Sequence, residues 1–290
     1  MERTIPPPHP DPHPPGAFTP PPGACDAHCH VFGPADRFPF SPGRSYTPPD
    51  AGIDDLARLR RRLGLSRAVL VQASCHGTDN AALADALRRG RGRYAGVAMI
   101  DDATSDGELE ELHECGVRGT RVNFVAHLGG APDLAAFERT VARVAPRGWH
   151  VVLHFDAADL PTYADLLDGL PCPYVIDHMA RVDAAAGLDQ EPFQALLRLM
   201  DDERCWVKVS GAERLTAAGA PPYDDVVPFA RALIDAAPDR ILWGTDWPHP
   251  NVRHMPDDGD LLDLLADFAP DEATRDRILV DNPARLHQFT

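Results

Sequence analysis

Short apolar runs alternate along the chain with longer stretches in which apolar residues recur at three- and four-residue steps. The runs at 24–30, 67–72, 94–100, 117–124, 149–155, 172–178, 204–210 and 240–246 predict strands. Between and after them, helices are predicted near 52–63, 79–90, 105–115, 131–146, 158–169, 189–202, 224–236 and 258–268. The fourth is typical: Leu134, Phe137, Val141 and Val144 form its apolar stripe, and Gly148 follows as a stop signal. Eight strand–helix units closing on themselves predict one (β/α)8 TIM barrel over residues 23–290. Asp281-Asn282-Pro283 reads as the start of a last helix, with Asn282 as N-cap and Pro283 at its first position.

Composition adds a boundary at the N-terminus. Ten prolines fall between Met1 and Pro22, with no apolar core of a secretory signal. Proline lacks the N–H and restricts its predecessor, so residues 1–22 are expected to be extended and disordered. His9 and His13 in this tail read as solvated. A net charge of −16 argues against nucleic-acid binding, and no apolar run reaches membrane-spanning length. The six cysteines form no C-x-x-C pair and read as reduced thiols of a cytoplasmic protein. Oligomeric state is not legible.

In such a barrel, chemistry collects at the C-terminal ends of the strands. There the chain carries His28 and His30, then Gln72, Ser74 and His76, then Arg118, Arg121 and Asn123. His154, His178, Ser210 with Glu213 and Arg214, and finally Asp246 complete the ring. Side chains alternate along a strand, so His28 and His30 share a face and Cys29 points away. His150 opens its strand and His113 lies in a polar helix, so neither is expected in the site.

These residues resemble the amidohydrolase superfamily, and within it the lactonase branch, closest to the 2-pyrone-4,6-dicarboxylate lactonase family. The resemblance is carried by Asp26-Ala27-His28-Cys29-His30, Val71-Gln72-Ala73-Ser74-Cys75-His76, Val117–Phe124, Val175-Ile176-Asp177-His178, Lys208-Val209-Ser210 with Glu213-Arg214, and Trp243-Gly244-Thr245-Asp246-Trp247-Pro248. It implies hydrolysis of a small anionic lactone in aromatic-compound catabolism. Asp246 would be the general base on water, and His28, His30 and His178 would polarise the carbonyl. Arg121, Arg214, Tyr46, Ser74 and His76 would bind substrate.

Two positions depart from that pattern. His127 stands where the resemblance leads one to expect an arginine, and holds a carboxylate less firmly while taking its place among the substrate-binding candidates. His154 stands where a tyrosine is expected. With His28, His30 and Asp246 it makes three nitrogens and one oxygen, a set that suits one Zn2+. The residues therefore favour a zinc-assisted hydrolysis, with metal-free hydrolysis as its close rival. A metal-dependent decarboxylase of a conjugated acid, and a non-catalytic barrel binding an acidic metabolite, are the competing functions.

Overall fold

The computed structural model describes residues 3–289. Among them eight strands pair in parallel and in chain order: β1 (Cys25–Cys29), β2 (Arg67–Val71), β3 (Tyr94–Ala98), β4 (Val117–Asn123), β5 (His150–His154), β6 (Tyr174–Ile176), β7 (Cys205–Lys208) and β8 (Ile241–Leu242). The first helices follow their strands as α1 (Ile53–Leu63), α2 (Ala81–Gly90), α3 (Asp106–Glu114), α4 (Leu134–Val144), α5 (Leu160–Asp168) and α6 (Glu191–Leu199). The short α7 (Ala212–Leu215) precedes α8 (Val227–Ala236), α9 (Asp258–Phe268), α10 (Glu272–Asp276) and α11 (Asn282–His287).

The ring closes from β8 onto β1 through backbone bonds. Ala27 N–H donates to the Trp243 carbonyl at 2.9 Å, Asp246 N–H to His28 at 2.7 Å, and His30 N–H to Trp247 at 2.8 Å. A Cβ at Gly244 would collide with the backbone nitrogen of His28, so the closest approach of the two strands needs glycine. β8 is shorter than its apolar run, ending at Leu242, and the chain then takes a left-handed φ of +64° at Asp246.

Within the barrel, Val69, Val71, Ala95, Val97, Val152, Val175 and Leu242 pack as a separate apolar cluster with Cys25 and Ala27. The β1–β2 register shifts between Asp26 and Cys29. That irregularity re-aims the strand, so His28 and His30 face inward above Ala27. Cys29 packs with the outer core, its thiol 3.6 Å from the Val69 carbonyl.

Three expectations need correction. Residue Leu134 lies at the start of α4 but is 45% exposed, and the buried stripe is Phe137, Thr140, Val141 and Val144. Asn282 does not cap a fresh helix. A π-helical turn at Arg277–Asp281 runs straight into α11, and the Asn282 amide instead donates to Pro238 and Ile241 carbonyls at 2.9 and 2.8 Å. The proline-rich tail is extended, but its described part is not loose. Ile5 N–H donates to Thr47 at 3.1 Å. His13 N–H reaches Asp257 at 3.1 Å, and both Gly16 and Ala17 donate to Asp263. The His13, Gly16 and Ala17 amides thus spend their donors on acidic residues at and within the first turns of α9, which also hold the His13 ring through Asp260 at 2.8 Å.

Candidate active site

The strand ends bring Asp246 into a ring of histidines. Its Oδ1 lies 3.1 Å from His30 Nε2, 3.4 Å from His28 Nε2 and 3.9 Å from His178 Nε2. Its other oxygen is held by the Arg214 guanidinium. Burial opposes ionisation of this carboxyl. Arg214 first, and then His178, His30 and His28, outweigh it and hold the group well below the usual carboxylate range. Asp246 is therefore a carboxylate with one oxygen held by Arg214 and the other facing the three imidazoles.

His178 owes its place to an unusual turn. From His178 to Arg181 four consecutive non-glycine residues have φ between 50° and 53°. This left-handed run costs conformational energy and marks a segment whose geometry is over-determined by its surroundings. It sends Asp177 and His178, adjacent in sequence, both into the buried site. His178 Nδ1 sits 2.9 Å from the Ser210 hydroxyl, and burial lowers its pKa to about 4. Burial likewise holds His28 and His154 well below the ordinary histidine value, so all three are neutral imidazoles near pH 7.

Each predicted residue can now be located. Tyr46, Ser74, Arg121, His127, His154, His178, Arg214, His30 and Asp246 all line one small cavity. Within it Ser74 Oγ is 3.4 Å from the Tyr46 hydroxyl. Arg121 is not free: its Nε is 3.3 Å from Asp177, and its Nη2 is 3.0 Å from His154 Nδ1. Arg214 is shared between Asp246, Glu213 at 3.1 Å and the Pro250 carbonyl at 2.8 Å. His76 is not among the cavity's lining residues. Its Nε2 accepts the Gly33 N–H at 3.2 Å, so it braces the loop after β1. Gln72 bonds the carbonyls of Gly77 and Asp79, and Arg118 those of His113 and Val117. His150 packs on His287, far down β5, and His113 accepts the Trp149 indole N–H at 2.9 Å. All six cysteines are free, and burial pushes the Cys75 thiol to about 12, which removes it as a nucleophile.

Sequence reasoning gave no role to Lys208, Asp177 or Arg181. Lys208 and Asp177 are fully buried and face each other at 2.9 Å. Arg181 lines the cavity while its Nε pairs with Asp156 at 2.6 Å. The motifs contained all three, but a signal for their pairing exists only once β6, β7 and the left-handed turn converge.

Among the described residues, two groups offer three metal-ligand atoms within 4.8 Å of one another: His28, His178 and Asp246, and Glu213, Asp246 and His249. Neither includes His154, and neither includes His30. Of the expected set, His28 and Asp246 fall in one group while His30 and His154 fall in neither, and the Arg121 guanidinium stands against the His154 ring.

The chain matches the family model described as Amidohydrolase over residues 25–289. It is 48% identical over 279 residues to a 2-pyrone-4,6-dicarboxylate hydrolase of Comamonas testosteroni, spanning 93% of this chain and 92% of that protein. It is 46% identical over 276 residues to a 4-sulfomuconolactone hydrolase of Rhizobium radiobacter, spanning 94% and 92%. A solved Pseudomonas putida structure, regarded as a 2-pyrone-4,6-dicarboxylic acid hydrolase, matches with a TM-score of 0.81 at 35% identity, over 92% of this chain and 98% of that one.

Proposed function

The chain belongs to the amidohydrolase family, and from that premise we propose that it hydrolyses a small anionic lactone to the ring-opened acid, with Asp246 as general base. The observation that carries this reading is the Asp246 carboxylate itself, held low by Arg214, buried, close to three imidazoles and lining a cavity that Arg181 and Arg214 also line. Relatives at 46–48% identity that are hydrolases of anionic lactones support it.

The geometry supports the following chemistry. A water beside Asp246 Oδ1 gives its proton to that oxygen while its own oxygen adds to the lactone carbonyl. The carbonyl oxygen becomes an oxyanion and needs N–H donors. His30 Nδ1 donates to the Val71 carbonyl at 2.8 Å, which leaves Nε2 as the nitrogen that exchanges a proton with Asp246. When the tetrahedral intermediate collapses, the ring oxygen leaves with the bond pair and takes up the proton that Asp246 received. The products are one carboxylic acid and one enol or alcohol on the same molecule. Arg181 and Arg214 supply the positive charge that draws a carboxylate or sulfonate substituent into an otherwise acidic protein. His127, where a further arginine was expected, leaves the site less cationic than a dedicated dicarboxylate binder.

Zinc fits this arrangement poorly. Arginine only donates, so its 3.0 Å contact fixes His154 Nδ1 as an acceptor and puts the ring proton on Nε2, the nitrogen that no other group claims. Asn123 Oδ1 lies 3.3 Å from the same Nδ1, and the reading takes that amide flipped so that its NH2 donates there. A protonated Nε2 is a hydrogen-bond donor and not a ligand. One oxygen of Asp246 is also already spent on Arg214. We therefore read the reaction as metal-free and His154 as an oxyanion donor.

A panel of anionic lactones, followed by acid release and by product mass, tests the function. Addition of one water with no carbon dioxide is expected. Carbon dioxide release would favour a decarboxylase, and binding without turnover a mere metabolite receptor.

A further inference from the structure

Lys208 is the last residue of β7, wholly buried, and absent from the chemistry so far. Its ammonium lies 2.9 Å from His28 Nδ1 and 2.9 Å from Asp177 Oδ1. Asp177 in turn sits 3.3 Å from the same His28 nitrogen and 3.3 Å from Arg121 Nε. Two groups of opposite kind therefore address one ring nitrogen. Asp177 can only accept and would call for a proton on Nδ1, whereas an ammonium can only donate and would call for a lone pair there. The shorter contact belongs to Lys208, and an N–H at Nδ1 would point at a positive charge.

We propose that Lys208 is a positioning residue that fixes His28 as the Nε2–H tautomer, so that a buried N–H stands ready beside Asp246 for the oxyanion. His28 Nε2 has no hydrogen-bond partner of its own and lies 3.4 Å from Asp246 Oδ1, so the donor it carries is unspent before substrate enters. A similar arrangement spans β4 and β5. Arg121 on β4 donates to His154 Nδ1 and leaves its Nε2–H equally unspent. Asp177 links the two devices, since it balances both Lys208 and Arg121. One carboxylate thus holds two cations, and each cation sets the proton on one imidazole. A metal held on the Nε2 atoms of the same histidines would require the opposite tautomers.

The use of these donors rests on the lactonase reading, but the tautomers themselves do not, and the experiment separates the two. The 15N shifts of histidine-labelled, substrate-free protein, correlated with the ring carbon protons, report which nitrogen of His28 carries the proton. Nε2–H is expected in the wild type. In Lys208→Met, whose chain is of similar length, His28 is expected to turn to Nδ1–H with Asp177 as acceptor. Turnover should then fall about 100-fold with KM changed less than about threefold, the signature of a lost transition-state donor. A His28 that already carries its proton on Nδ1 in the wild type overturns the proposal, and so does a Lys208→Met protein in which His28 stays Nε2–H. Because the wild-type spectrum alone can refute it, a variant that fails to fold does not shelter it. If no lactone is turned over but the tautomers are as stated, only the lactonase reading falls.

Discussion

Asp26 grips Thr245 twice: its Oδ2 accepts the Thr245 hydroxyl at 2.7 Å and its Oδ1 the Thr245 backbone N–H at 3.0 Å. The same Oδ1 accepts the His28 N–H at 3.1 Å. One buried carboxylate therefore joins the segment that carries His28 and His30 to the residue preceding Asp246. Burial pushes its pKa up to about 6, against the pull of those three donors.

Asp26→Ala leaves three donors without an acceptor in the interior. Each orphaned group costs about 1–3 kcal/mol, so stability should fall by about 3 kcal/mol or more, read as a lower denaturant midpoint. Activity should drop further than stability explains, because Asp246 loses its register against β1. A variant with wild-type stability and rate would show that the latch holds nothing.

Acid should destabilise the protein below neutrality. His28, His154 and His287 lie well below the ordinary value, His178 near 4 and His150 near 3, all through burial first. The unfolded chain takes up protons near pH 6.5 while the folded chain does not. Stability from keeping these rings neutral is therefore full above pH 6.5 and lost as pH falls toward 4, with a slope of about 1.4 kcal/mol per pH unit for each ring. Asp26, whose folded pKa is raised, works the other way and softens the loss between pH 6 and 4. Denaturation midpoints measured from pH 7 to 5 should fall steadily, and a flat profile would contradict the assignment.

The tail should loosen in base. His13 is raised to about 9, by its bond to the Pro14 carbonyl and then by Asp260. Its contribution is complete below pH 6.5 and is lost as pH rises through about 9. The ring is substantially exposed, so the effect is modest and should weaken in salt. Exchange of the Gly16 and Ala17 amides, corrected for intrinsic rates, should quicken over that range in the wild type and be uniformly fast in His13→Ala.

Removal of metal should leave the enzyme working. Protein treated with a chelator and confirmed free of metal is expected to keep at least half its rate, and added Zn2+ should not raise it. A rate that vanishes on chelation and returns with zinc would restore the four-ligand reading of His28, His30, His154 and Asp246.

How much of this was legible depended on the range of the interaction. Strand order followed from the apolar pattern, alternation put His28 and His30 on one face while the irregularity in β1 turns that face inward, and the strand-end rule led to Asp246 and His178. The role of His154 did not follow, because it turns on which group faces its Nδ1. That group, Arg121, stands on a neighbouring strand whose register pairs Asn123 with His154. Lys208 and Asp177 escaped notice for the same reason. Each looks unremarkable alone, and only their convergence from two strands makes a charge-balanced pair. Tail docking was illegible because its acceptors, Asp257, Asp260 and Asp263, lie more than 240 residues away.

The most direct test is the turnover of a hydrolysed lactone by Asp246→Asn. The amide keeps the shape and the contact with Arg214 but cannot take a proton from water. The rate is expected to fall about 1,000-fold or more, with substrate binding retained in a calorimeter. An Asp246→Asn enzyme that hydrolyses at the wild-type rate would contradict the account at its centre.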